Sequence, residues 1–354
     1  MNFIQRVLYR PFFIKLFHWE YWPFNVVYAP IIFVWFWFCL RARSLFFFSA
    51  SNPTIQNGGF LMESKMSIYD LIPQQYFPRT LFFPLHTAAE IVIASVREAQ
   101  LKYPLIGKPD MGGRGRGVKK LDDEIALKEY AKTSPLDFLV QEFIPFELEV
   151  GIFYYRYPGD TSGKISGIVR KEFLSVVGDG HSSIEELLNK EKRFILQIET
   201  LQKTYGPSLQ KVLPVNEIRE LVPYGNHARG AMFLDDSHLV DAQLTASIDA
   251  VCKQIKGFYY GRMDVRYASW EDLRNGRNFG IVEVNGAGSE PTHMYDPKHS
   301  IFFAWKEIIR HWNILRKISL LNHRKGIPYL SYKDGVAMMR ENAVLEKKLD
   351  ELYD

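Results

Sequence analysis

Cysteine is almost missing: Cys39 and Cys252 are the two in 354 residues. Two distant thiols cannot staple a small secreted scaffold, and they lack the paired spacing of a zinc site. They suit a reducing compartment. A strong charge of one sign is missing too. Forty-four Lys and Arg against 40 Asp and Glu leave a net +4, which is too mild to argue for nucleic acid. No repeat or low-complexity tract occurs. A chain that is 47% hydrophobic and 24% charged is not disordered. Its length leaves room for two or three subdomains. A long unbroken apolar run is also lacking. The longest apolar stretch, Val26 to Leu40, has 15 residues and is broken by Pro30; a spanning helix needs roughly 20. Neither a Gly-x-Ser-x-Gly nor a Cys–His pattern marks a nucleophilic side chain.

What is abundant is aromatic surface, 15% of the chain. Residues 1–50 hold 18 of the 52 aromatics, with one acid, Glu20, against Arg6, Arg10, Lys15, Arg41 and Arg43. Rings flanked by arginine favour a membrane–water interface. The segment therefore reads as an interfacial or re-entrant membrane contact. A buried aromatic core or dimer surface, and a single span, are the competing readings. A signal peptide would show a small-residue cleavage site, and none is obvious. Residues 301–325 carry Lys306, Arg310, Arg316, Lys317, Arg324 and Lys325 against Glu307. Trp305, Ile308, Ile309, Trp312 and Leu315 recur there at helical spacing. That predicts a basic amphipathic helix for a membrane surface, or else a core-packed helix.

Residues 49–65 are turn-rich and read as a polar loop that carries function. A helix is expected over 84–100, with Thr87 as its cap. Strands are expected over 103–108, 139–144 and 149–155, and a pair of short ones over 164–177. Ser183 opens a helix to Lys192, and 246–256 is helical. Strands over 258–267 and 279–285 are joined by a loop holding Asn275-Gly276. Helices follow over 301–321 and 335–352. Strands interleaved with helices predict an α+β fold with largely antiparallel sheets.

Three constellations carry chemistry. Lys108 ends a strand and enters a loop with Gly112, Gly113, Gly115 and Gly117. Such glycines leave backbone N–H groups free to approach an anion, and Lys108 can reach a phosphate. The loop is neither a Walker A nor a Rossmann pattern. A flexible surface loop or an Arg-Gly nucleic-acid patch is the bland alternative. Next, Glu142, Phe143, Ile144, Glu147 and Glu149 lie where a strand edge becomes an extended hinge. Backbone there can meet a purine and carboxylates can take ribose hydroxyls; a solvated face is the alternative. Last and sharpest, Arg262 and Asp264 alternate on one strand, Glu283 and Asn285 on the next. If the strands pair, Asp264, Glu283 and Asn285 converge as oxygen ligands for Mg²⁺; cross-strand surface pairing is the alternative. Facing carboxylates without a cation would repel.

These elements, in this order over residues 85–300, resemble the ATP-grasp superfamily of carboxylate–amine ligases, the D-alanine–D-alanine ligase-like and cyanophycin-synthetase-like groups in particular. The segment Val177 to Leu187 is similar to the latter. The resemblance implies an ATP-grasp fold, two α+β subdomains clasping ATP, with an atypical aromatic-rich N-terminal region. It places ATP phosphates on Lys108 and the glycines. Adenine and ribose go to Glu142, Phe143, Ile144 and Glu147 or Glu149. Two Mg²⁺, or Mn²⁺, go to Asp264, Glu283 and Asn285, and the transferred phosphate to Arg262. Where the similar segment has lysine this chain has His181, so either Lys171 is the second phosphate lysine or that lysine is lacking. Asn226, Arg229 and Ser289 are expected substrate contacts.

The implied domains are 1–80, 81–300 and 301–354. The implied activity is an ATP- and Mg²⁺-dependent ligase working through an acyl phosphate. Its partners would be small-molecule or lipid-like carboxylates and amines. It would sit in the cytoplasm, peripheral on the inner face of a membrane. A catalytically silent ATP-binding regulatory or scaffold protein is the rival reading. His181 supports it; the complete Asp264, Glu283 and Asn285 set opposes it.

Overall fold

The computed structural model describes residues 9–113, 115–222 and 230–353. Helices α1 (Pro11–Phe17), α2 (Phe24–Tyr28), α3 (Ile32–Ala42) and α4 (Lys65–Tyr69) come first. Then follow β1 (Thr80–Phe83), α5 (Ala89–Glu98), β2 (Leu105–Pro109), β3 (Lys119–Leu121), α6 (Glu124–Thr133), β4 (Phe138–Glu142), β5 (Leu148–Tyr155), β6 (Lys164–Glu172) and β7 (Leu174–Val177). Next are α7 (Ile184–Lys190), α8 (Lys192–Ile195), α9 (Ile198–Tyr205), β8 (Ile218–Val222), β9 (Met232–Asp235) and α10 (Ala242–Gln254). The chain closes with β10 (Tyr260–Tyr267), α11 (Trp270–Arg274), β11 (Phe279–Asn285), α12 (Ile301–Arg324) and α13 (Tyr332–Tyr353). This is the α+β class that the pattern predicts. The chain divides into a larger unit, Phe33–Ile168, Asp236–Pro291 and Ile308–Asp354, and a smaller one, Met1–Ile32, Val169–Asp235 and Thr292–Glu307.

In the larger unit, one antiparallel sheet has the order β1-β4-β2-β3. Helices α5 and α6 cover it because Val92 and Val96, and Leu127 and Ala131, recur four residues apart and bury one face each. The expected cap on α5 is wrong. The N-cap is Ala88, whose methyl side chain cannot accept a hydrogen bond; Thr87 lies one residue too early, and its hydroxyl donates to the Pro84 carbonyl. Gly107 must be glycine: a Cβ there would lie 2.8 Å from the Tyr130 ring. The Tyr130 hydroxyl donates to the Gly117 carbonyl at 2.9 Å and ties down the end of the glycine loop.

The second sheet runs β11-β10-β5 into the first half of β6. Alternation decides its faces. Val150 and Ile152 of β5, Met263 and Val265 of β10, and Ile281 of β11 face α10 through Ile248, Val251 and Cys252. On the other face, Phe153 and Tyr260 pack with Phe38, Phe47 and Phe48 and with Leu315 and Ile318 of α12. So part of the aromatic N-terminal run is core. The apolar stripe of α12 is core as well: Ile308 and Leu315 are buried, and Trp312 meets Trp35 edge-on at 5.2 Å. Of the two readings left open for this helix, the structure selects the core-packed one.

Asn52 fastens the polar loop to this sheet. Its amide donates to the carbonyls of Gly58 (2.9 Å) and Tyr260 (2.8 Å) and accepts from the Tyr259 (2.9 Å) and Tyr260 (3.0 Å) backbone N–H groups. The residue is fully buried. Replacing it with Ala leaves several buried backbone groups unpaired, each worth about 1–3 kcal/mol. Asn52→Ala is therefore expected to lower stability by about 2–4 kcal/mol. A urea midpoint unchanged from wild type would contradict this.

The smaller unit holds the β7–β8 pair and the second half of β6 paired with β9. Its core is Leu174, Val176, Leu188, Leu201, Leu213 and Leu221. Ser183 caps α7 as expected, with Glu186 completing a reciprocal capping box. Asp179 accepts from the Ser182 backbone at 2.7 Å and from Lys190 at 2.8 Å. Those hydrogen bonds, led by the one from Lys190, hold its carboxyl well below the usual range. His181 is exposed beside it.

Candidate active site

The site is built on the polar end of the β10–β11 face. The two strands pair antiparallel with Arg262 opposite Asn285 and Asp264 opposite Glu283. Cross-strand partners point to the same side, so all four polar residues share one face. A bulge follows Asp264, and beyond it the strands stay paired, with Val265 opposite Ile281 and Tyr267 opposite Phe279. The connection is longer than a tight turn, because α11 lies within it.

Each carboxylate has a cationic neighbour. Arg262 donates its Nε to Asp264 Oδ1 at 2.8 Å and its Nη2 to Oδ2 at 3.3 Å. Burial opposes the Arg262 charge, but Asp264, and Glu283 and Glu290 further out, raise its pKa. Lys65 stands 3.7 Å from Glu283 and donates to the Gly112 carbonyl at 2.5 Å. One ammonium thus links the glycine loop to the β11 carboxylate.

Lys108 enters from β2, fully buried. Its Nζ donates to the Tyr69 hydroxyl at 2.6 Å and to Gln141 Oε1 at 2.7 Å. Tyr69 donates in turn to the Val282 carbonyl on β11 at 2.6 Å. Lys108 and Glu283 are close enough to interact electrostatically, yet burial dominates and pulls the Lys108 pKa down to about 8. The separate sequence elements therefore meet: strand lysine, glycine loop and metal-type carboxylates lie around Tyr69 and Lys65. Gly112, Gly115 and Gly117 all have positive φ, and the space beside Gly113 and Gly115 is open.

The hinge residues are spread out. Glu142 is bound by the Arg79 guanidinium, whose Nε donates at 3.0 Å. Glu149 is buried on β5 and accepts from Arg266 at 3.2 Å. Phe143 lies under both Lys120 and Arg266, each 5.7 Å from its ring. Ile144 abuts Gly280 of β11, and Glu147 is exposed. The Ser289 hydroxyl closes a turn, donating to the Asn285 and Gly286 carbonyls at 2.7 Å. Lys171 lies in the smaller unit on β6, opposite Phe233 of β9. Asn226 and Arg229 lie outside the described residues.

Four residues at the site were not singled out by sequence reasoning: Glu63, Lys65, Tyr69 and Gln141. Glu63 Oε2 is buried with no hydrogen-bond partner, and burial, against Lys65, pushes its carboxyl up. The signal was there in the polar loop, whose Gly59 packs against Gly286 directly after β11. Among the described residues, no three His, Cys, Asp or Glu side chains form a metal-binding group. The metal-type set is two carboxylates plus Asn285, whose Nδ2 is buried without a partner.

No family model matches the sequence, and no curated protein does. Solved structures do. The chain is 15% identical to a bifunctional glutathione synthetase from Pasteurella multocida, with 75% of this chain and 38% of that one covered and a TM-score of 0.39. It is 14% identical to D-alanine–D-alanine ligase from Bacillus anthracis, with 74% and 69% covered and a TM-score of 0.43. It is 16% identical to the VanG D-Ala:D-Ser ligase from Enterococcus faecalis, with 72% and 61% covered and a TM-score of 0.40. It spans about two fifths of the length of the glutathione synthetase.

Proposed function

We propose that the chain is an ATP- and Mg²⁺-dependent ligase that joins a carboxylate to an amine at a membrane surface, with residues 81–300 as its ATP-grasp domain. The observation that carries this is the meeting of Lys108 with the Asp264–Glu283 pair around Tyr69. Opposed carboxylates beside a buried lysine suit a cation-bridged polyphosphate. Asp264, Glu283 and Asn285 have the oxygen chemistry that Mg²⁺ or Mn²⁺ takes. A divalent ion bound there would screen phosphate charge and polarise the group being transferred.

The chain's own groups do the positioning. Lys108 and the glycine-loop N–H groups hold the phosphates. Arg262 swings from Asp264 to the transferred phosphoryl group. Ile144 and Phe143 flank the base. Among the hinge carboxylates, Glu147 faces water and suits the ribose hydroxyls, since Glu142 and Glu149 are held by arginines. From their sequence motifs alone, Lys171 is assigned as a second phosphate cation and Asn226, Arg229 and Ser289 as substrate contacts. In the first step a carboxylate oxygen attacks the γ-phosphorus, the bond to the bridging oxygen breaks, and ADP leaves. In the second the amine attacks the acyl phosphate carbon, phosphate departs with its bonding pair, and the amine proton goes to water. Holding the reactants in line and neutralising charge supply the rate. The assay is ATP consumption with pooled amino acids and fatty acids. ADP and phosphate should form in equal amounts and require both a carboxylate and an amine. Formation of AMP and pyrophosphate would contradict the reading.

The membrane part rests on α3. Phe33 (68% exposed), Phe36 (57%), Trp37 (54%) and Leu40 (68%) form one outward stripe at helical spacing. Arg41 lies over the Trp37 ring, and Arg316 over the Phe38 ring behind it. Phe24–Ala42 is long and apolar enough to cross a membrane, by length and composition, and is 28% buried. An apolar stripe rimmed by arginine matches an anionic bilayer surface. Phe33→Glu/Trp37→Glu changes exposed residues only, so the fold should survive. Wild type is expected to float with phosphatidylglycerol vesicles and the variant to stay behind. Equal behaviour of the two would contradict an α3 contact.

A further inference from the structure

The glycine loop is covered by the C-terminal helix of its own unit. Arg116 is 6% exposed. Its guanidinium donates to Glu346 Oε2 at 2.7 Å and is also paired with Asp350. One turn of α13 thus supplies two carboxylates, four residues apart on one helix face. Between them in sequence, Leu349 is fully buried, and a Cβ at Gly112 would lie 3.0 Å from its Cδ1. Lys348 donates to the Pro135 carbonyl at 3.1 Å, fixing the helix at the end of α6.

The polarity of this contact is notable for a loop suited to anions. Gly115 and Gly117 hold positive φ on either side of Arg116. Arg116, one of two arginines in the sequence of this loop, is spent on two carboxylates. Those carboxylates are themselves partly open to water, at 36% and 58% side-chain exposure. The guanidinium itself is buried, so the pair opens from its water-exposed carboxylate end, and an arginine takes a phosphate through the same two-pronged geometry that it offers a carboxylate. The apolar contact of Leu349 with Gly112 holds the loop against α13 at the same time.

We infer that the end of α13 is a self-inhibitory latch: Glu346 and Asp350 occupy the Arg116 guanidinium that a polyphosphate would otherwise take. The inference rests on the nucleotide reading of the glycine loop. Polyphosphate binding releases the helix end, and conditions that free the helix favour binding.

The test compares wild type with Glu346→Gln/Asp350→Asn, which keeps shape and removes charge from two partly exposed positions. Three quantities are read: amide exchange of residues 112–117 without ligand, affinity for inorganic triphosphate, and affinity for ATP. Exchange should rise in the variant, and both ligands should bind about three- to tenfold more tightly. Leu349→Ala should raise the same exchange by removing the apolar contact. Tighter triphosphate with no ATP binding by either protein keeps the latch and removes the nucleotide reading. Unchanged or weaker triphosphate binding in the variant overturns the latch.

Discussion

Glu283→Ala is expected to lower ligase turnover by about 10²–10³-fold or more, the scale of losing one preorganised charge partner of a transferring group. The protein should stay folded. The Glu283 side chain is 31% exposed and its ion pair to Lys65 is long, 3.7 Å, so its loss costs about 0–1 kcal/mol. Asp264 is different. Its side chain is 6% exposed and holds Arg262 by two hydrogen bonds. Asp264→Ala would leave the partly buried Arg262 guanidinium without this partner, at a cost of about 1–3 kcal/mol. Asp264→Asn is therefore the cleaner change, with turnover lost and the melting transition nearly kept. Turnover in Glu283→Ala equal to wild type would remove the metal assignment.

Lys108→Met is expected to separate affinity from stability. Loss of a charge-assisted contact to phosphate weakens ATP binding by about 1.5–3 kcal/mol, or roughly 10- to 150-fold. Stability should move the other way. Burial lowers the Lys108 pKa from 10.5 to about 8, so the charged form is disfavoured in the fold by about 3 kcal/mol. The unfolded chain binds the extra proton between pH 8 and 10.5, so wild-type stability gains from this group as pH rises through that window and carries the full penalty below it. At pH 7 a methionine removes the penalty, less what Tyr69 and Gln141 lose as hydrogen-bond partners. ATP affinity of the free wild type should also fall above about pH 8 as Nζ loses its proton. A Lys108→Met protein that binds ATP like wild type contradicts the phosphate role. A pH-independent affinity between 7 and 9.5 contradicts the charge argument.

The sequence made the β10–β11 pair readable because period-two alternation of Arg262, Asp264, Glu283 and Asn285 against buried valines and isoleucines fixes a face without tertiary knowledge. The Lys108 strand and Ser183 cap were readable for similarly local reasons. What could not be read lies in long-range packing. Lys65 reaches Glu283 only because Asn52 and the Gly59–Gly286 contact dock the polar loop on β10 and β11. The aromatic run splits by helix face: Phe38 is core while Phe33, Phe36 and Trp37 face outward, a division set by where α12 lies. Helix α6 was not foreseen. The hinge carboxylates looked equivalent as a string, but Arg79 and Arg266 bind two of them and leave Glu147 exposed.

The central claim is an acyl phosphate made at this site, and isotope transfer tests it most directly. The protein is incubated with ATP, Mg²⁺, an amine pool and carboxylates labelled with ¹⁸O, and the released phosphate is weighed by mass spectrometry. Transfer through an acyl phosphate predicts one ¹⁸O in each phosphate formed, with the rate of labelled phosphate release about 10²–10³-fold lower in Glu283→Ala. Unlabelled phosphate released at the same rate with and without carboxylate would contradict it.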